Sequence, residues 1–227
     1  LRLSALRFRK ELFDDILGVA LPGSISPVLT VLTIVLLTAF VGRFGEEALA
    51  GYGIGSRIEF LIIPLVFGIG ATMTSLVGIG VGAGDLQRAE TIGWVGGFGA
   101  ALVAGMIGLV LALFPNAWIP YFTSDPVVYD TARSFIQIVG PCFSFYGLGL
   151  VLYFGSQGAS AMRWPVIALC LRCVVAIGGA ITLMSHTDLA LQSVFYAAAA
   201  SMLVYGATMV GALKLGAWRV SGVTNGN

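Results

Sequence analysis

Six long apolar stretches occupy almost the whole chain, and only a few charges fall inside them. That pattern constrains the fold more than any motif does. Hydrophobic residues make up 58% of the sequence and charged residues 10%, against roughly 25% charged in a soluble domain. Too few charges remain to coat a surface with water, so most of the outer surface is expected to face lipid. Six spans of about 20–25 residues with short loops use up the 227 residues. The expected fold is an all-α integral membrane lobe of six transmembrane helices.

The spans read as Ile16 to Gly42, Leu49 to Ala83, Ile92 to Phe114, Ala132 to Gly155, Trp164 to Ser185 and Leu189 to Leu215. The lobe is then residues 16–215, with a cytoplasmic segment 1–15 before it and a cytoplasmic tail 216–227 after it. The second span is longer than a bilayer needs, and Pro64 is the expected kink site. Pro141 lies inside the fourth. Arg2, Arg7, Arg9, Lys10, Arg88, Arg163, Lys214 and Arg219 fall on one side of this topology; Arg43 and Arg133 fall on the other. The positive-inside rule makes the first side cytoplasmic. Trp118 and Tyr121, in the outer loop, read as interfacial anchors. The chain opens on Leu1 rather than Met, which reads as a piece of a longer protein.

Several function classes lose support at this level. A net charge of +1 provides no footprint for nucleic acid. Cys142, Cys170 and Cys173 lie in apolar spans; Cys170 and Cys173 match C-x-x-C but have neither a βαβ context nor a second ligand pair. They read as packing residues. Gly78-Ile79-Gly80-Val81-Gly82-Ala83 matches G-x-G-x-x-A, but follows an apolar helix rather than a strand, so a nucleotide site is not expected. The single histidine, His186, falls near an outer loop, and no metal cluster, cofactor motif or nucleophile–base arrangement occurs. The chain is not expected to be an enzyme.

Glycine is abundant, with 31 residues. Gly51/Gly55, Gly78/Gly82, Gly80/Gly84 and Gly93/Gly97 are small-xxx-small pairs that let helices approach closely. Gly51, Gly55 and Pro64 are read as hinge or packing positions.

Ionisable groups inside a span cost about 2.5–3.5 kcal/mol or more and face a partner or a water-filled cavity. Arg57, Glu59 and Arg172 are the informative ones. Counting 1.5 Å per residue, Glu59 lies roughly 15 Å below the outer surface and Arg172 roughly 12 Å above the inner one, so the two can meet. Two readings of Glu59 stand side by side. It forms a structural ion pair with Arg172 or Arg57, or it takes up a proton or cation during transport. Two-residue spacing makes Arg57 a poor partner for Glu59. Tyr153 and Gln157, one helical turn apart, are weaker candidates for contact with substrate.

The stretch from Gly51 through Arg57, Glu59, Pro64 and Gly70 to Gly82-Ala83-Gly84-Asp85 resembles the multidrug and toxic compound extrusion (MATE) transporters. So does Gly155-Ser156-Gln157-Gly158-Ala159, followed by Pro165 and Arg172. The likeness runs through nearly the whole chain and matches the C-terminal six-helix half of a bacterial member. It implies one of two pseudosymmetric lobes around a central cavity, in an inner-membrane antiporter that exports organic cations or amphipathic drugs in exchange for protons or sodium ions. The implied partners are those compounds, the coupling ion, lipid and the missing N-terminal lobe. The sodium-coupled branch has an acid in the first helix of this half and an aspartate in the fourth, and reads V-G-Q-N-x-G-A near Gly78–Ala83. Here Ile16 to Gly42 holds no acid, the fourth span holds only Arg133, and the loop lacks Gln and Asn. Coupling is therefore expected from Glu59, by protons in preference to sodium, or from an acid in the absent half. The rivals are a lipid-linked oligosaccharide flippase of related architecture and a non-transporting structural membrane subunit.

Overall fold

The computed structural model describes the backbone of residues 10–187 and 189–221, with side chains from residue 23 to residue 219. Arg2, Arg7 and Arg9 lie outside the described residues. The described chain is helical: α1 Lys10–Gly42, α2 Glu46–Gly82, α3 Leu86–Leu113, α4 Pro126–Val139, α5 Phe143–Gly158, α6 Arg163–His186, α7 Leu191–Lys214 and the short α8 Ala217–Ser221. Six segments among them are long and apolar enough to cross a membrane, with α4 and α5 together forming one.

The small residues explain how the helices meet. Ala89, Gly93, Gly97, Ala100, Ala104, Gly108 and Ala112 recur every three or four positions along α3 and are buried. This stripe lies against α2 and α5. With no hydrophobic driving force between helices in lipid, close backbone approach supplies the packing energy. The opposite face carries Val95, Phe98, Leu102 and Leu109, each at least half exposed. An apolar belt of that extent marks a lipid-facing surface. Helix α2 packs on α3, α4 and α5, α7 on α5 and α6, and α1 on α6.

Turn chemistry closes the elements. Gly45 and Gly84 take φ of +106° and +76° between α1, α2 and α3. Such values suit glycine because it lacks a Cβ. Asp125 caps α4, accepting from the N–H groups of Val127 at 2.8 Å and Val128 at 3.1 Å.

Three local expectations change. The fourth span is two helices, because a 3-10 turn at Gly140–Cys142 interrupts it around Pro141. Proline brings no N–H to the i→i−4 ladder, and its ring crowds the preceding turn. Trp118 is no plain interfacial anchor: its indole N–H donates to the Ile54 carbonyl of α2 at 3.2 Å. Tyr121, 82% exposed, does stand out from the loop. Finally, packing extends past residue 215. Trp218 of α8 is 2% exposed and donates to Ser156 Oγ at 3.0 Å, while Arg219 grips Glu90 with two bonds at 2.6 and 2.8 Å.

Candidate functional site

Glu59 stands on α2, 13 residues after its start, roughly 20 Å along the helix. Arg172 stands nine residues into α6, roughly 14 Å along. The Arg172 Nη2 donates to Glu59 Oε1 at 3.2 Å. Their side chains are 5% and 13% exposed respectively. Both charges are therefore largely out of solvent, and each compensates the other.

Aromatic groups complete the setting of Arg172. Its guanidinium lies 4.7 Å from the Tyr146 ring centroid on α5 and 5.8 Å from that of Tyr205 on α7. The two rings are 6.2 Å apart. Their negative faces favour a nearby cation. Glycine makes this arrangement possible. A Cβ on Gly149 would lie 2.5 Å from Tyr205 Cε1, and one on Gly206 would lie 2.6 Å from the Phe145 carbonyl. Helices α5 and α7 thus approach closely where the tyrosines sit. Tyr146 and Tyr205 were not singled out from the sequence. Their signal was weak but present: each hydroxyl falls in an apolar run, immediately before a glycine.

Two cavities meet the pair. Arg172 lines one of about 280 Å³, with Ser26, Pro27 and Thr30 of α1, Ile63 of α2, Leu169 of α6, and Tyr146, Tyr153 and Tyr205. Glu59 lines another of about 300 Å³, with Ile34 and Thr38 of α1, Tyr52, Ser56 and Phe60. The two follow one another along α1.

The remaining candidates fall as follows. Arg57 is exposed, with its guanidinium 5.0 Å from the Phe122 ring centroid. It is not brought to Glu59, since residues two apart project from different helix faces. Tyr153 lines the Arg172 cavity, and its hydroxyl accepts from Gln157 Nε2 at 3.1 Å. Gln157 lines neither cavity. Gly51 and Gly55 sit against α4, where an added Cβ would lie 2.6 Å from Thr131 Cβ and 2.3 Å from Phe135 Cδ1. Pro64 is exposed, and α2 is a single helix across it. His186 ends α6. Cys173 is buried and Cys142 half-buried, whereas Cys170 is exposed on α6 rather than packed. Among the described residues no cluster of three His, Cys, Asp or Glu side chains is placed to hold a metal ion.

The MatE family model matches residues 22–182. This covers more than half of the chain and all of the pair's surroundings on α2, α5 and α6. The chain belongs to the MatE family.

Its MATE relatives include the probable multidrug resistance protein NorM of Thermotoga maritima, 30% identical over 132 residues, 58% of this chain and 28% of that protein. The probable multidrug resistance protein YoeA of Bacillus subtilis is 22% identical over 207 residues, 88% of this chain and 45% of that protein. Among solved structures, the MATE transporter ClbM in complex with Rb+ superimposes with a TM-score of 0.86 at 19% identity, covering 94% of this chain and 51% of that one. The chain thus spans about half the length of MATE proteins or less. It is a multi-pass membrane protein with the fold of one MATE lobe.

Proposed function

We propose that this chain is one lobe of a secondary-active exporter of cationic or amphipathic compounds. It works by alternating access against a second six-helix lobe, in a bacterial inner membrane. Residues 16–215 form the membrane-spanning part of the lobe, α8 packs against it, and the flanking segments are cytoplasmic. Arg88, Arg163, Lys214 and Arg219 gather at one end of the helices, and Arg219 reaches Glu90 at that end.

One observation carries the reading: a buried carboxylate–guanidinium pair stands between two cavities of a MATE lobe. Glu59 is the coupling carboxylate. Protonation removes its charge and releases Arg172, which the Tyr146 and Tyr205 rings still hold. The link between α2 and α6 is then weakened, and this two-state contact is the moving part of the cycle. Protons are preferred to sodium because a metal cation at Glu59 would face the Arg172 charge a few ångströms away. Arg57, over Phe122, has no direct part in the exchange. Tyr153, its hydroxyl fixed by Gln157, is the weaker candidate for contact with an amphipathic substrate.

The flippase alternative calls for a wide basic cavity, whereas Arg172 is the one basic residue among the described lining of its cavity. The test is ethidium efflux from cells lacking their own pumps, with the full-length transporter carrying Glu59 or Glu59→Gln. An imposed proton gradient is expected to drive the parent and not the variant. Normal pumping by a well-expressed variant would make Glu59 structural, and a silent parent would advance the flippase.

A further inference from the structure

Arginine presents five N–H donors in a planar fork, and carboxylates are gripped best by two of them at once. Arg172 has two polar neighbours, Glu59 and the Tyr146 hydroxyl. One Nη2 bond reaches a single oxygen of Glu59 at 3.2 Å, long for a charge-assisted contact. Its Nε is buried and has no hydrogen-bond partner among the described residues. The residue is 4% exposed. Buried donors are nearly always satisfied, so the guanidinium keeps hydrogen-bonding capacity beyond its contact with Glu59.

The cavity that Arg172 lines fits one kind. Its described walls are tyrosine rings and aliphatic side chains, with Ser26 and Thr30 as polar groups, and none of them is acidic. The Glu59 carboxylate belongs to the neighbouring cavity. A cationic ligand would meet a like charge across an apolar space. About 280 Å³ sits at the small end of ligand sites. We propose that this cavity binds a small aromatic organic anion, a carboxylate or sulfonate on a flat apolar body, with the anion on the part of Arg172 that lines the cavity and the rings of Tyr146 and Tyr205 against the body. This site shares Arg172 with the proposed coupling pair, but it is read by binding rather than flux, so either idea can fail without the other.

The anion competes with Glu59 for the guanidinium, and this sets the experiment. Full-length transporter in neutral, lipid-depleted detergent is equilibrated by dialysis with radiolabelled naphthalene-2-carboxylate, and separately with naphthalene-2-methylammonium. The anion is expected to bind at least tenfold more tightly than the cation. Glu59→Gln, which removes the competing carboxylate, tightens the anion several-fold. Arg172→Gln weakens it at least tenfold, and Arg172→Lys falls between. Should Arg172→Gln fail to fold, Thr30→Trp fills the cavity while leaving both charged residues in the sequence and abolishes binding. Equal binding of the two probes, or an unchanged dissociation constant in Thr30→Trp, overturns the proposal.

Discussion

Arg172 donates to Glu59 at 3.2 Å across 113 residues of sequence, which ties α6 to α2 through two buried charges. Removing one partner strands the other, so the two single substitutions and the double should not add. Arg172→Met is expected to cost about 3–5 kcal/mol, because an unpaired carboxylate stays behind. Glu59→Gln/Arg172→Met should recover part of that loss, giving a coupling energy of about 1–3 kcal/mol. Titration with sodium dodecyl sulfate in mixed micelles measures all three. Simple additivity would mean that the charges do not sense each other.

The C-terminal helix gives a contrast between buried and exposed contacts. Trp218 is 2% exposed and fills space against Gly93 and Gly155, where an added Cβ would lie 2.7 and 2.8 Å from its ring. Trp218→Ala is therefore expected to cost about 3–5 kcal/mol. Arg219→Ala removes two short bonds to Glu90, yet the Arg219 side chain is 63% exposed and the pair is screened by salt. Its effect should be far smaller than that of Trp218→Ala and vanish at high ionic strength. The same unfolding titration, run at two salt concentrations, checks both.

How far these contacts could be read in advance depends on how each is encoded. The apolar runs announced six spans because lipid demands about 20 apolar residues at each crossing. Depth counting placed Glu59 opposite Arg172 because helical rise is regular. The tyrosine pair was faintly marked: in a chain with 14 Phe, 7 Tyr and 4 Trp, an aromatic before a glycine in a span stands out little. Trp218 was hidden, since it lies beyond the last apolar run and is drawn inward by glycines 125 and 63 residues earlier. Arg57 shows the limit of charge counting, because a cation within a span can satisfy itself on an aromatic face, as it does on Phe122.

Glycines along the spans should separate sharply by what lies opposite them. A Cβ on Gly108 would lie 2.0 Å from the Gly140 carbonyl oxygen, and one on Gly158 would lie 2.2 Å from the Thr74 carbonyl oxygen. Backbone cannot swing aside as a side chain can. Gly108→Ala and Gly158→Ala are expected to lose about 2–4 kcal/mol or to fail to accumulate in the membrane. Nothing lies within 4 Å of a Cβ at Gly99 or Gly178. There alanine should be neutral or stabilise by up to about 1 kcal/mol, through its better helix propensity. Thermal retention of monodispersity in detergent reads all four.

Pro64 offers a test of motion rather than packing. It lies inside α2 five residues after Glu59 and is exposed, so its replacement disturbs no buried contact. Proline withholds one backbone N–H from the carbonyl four residues earlier, that of Phe60, next to Glu59. Pro64→Ala restores that donor and stiffens α2. If α2 bends during alternating access, the variant should be at least as stable as the parent yet pump ethidium several-fold more slowly, with ligand binding at equilibrium unchanged. An unchanged rate would mean that the lobe moves as a rigid body and that bending of α2 at Pro64 has no part in the cycle.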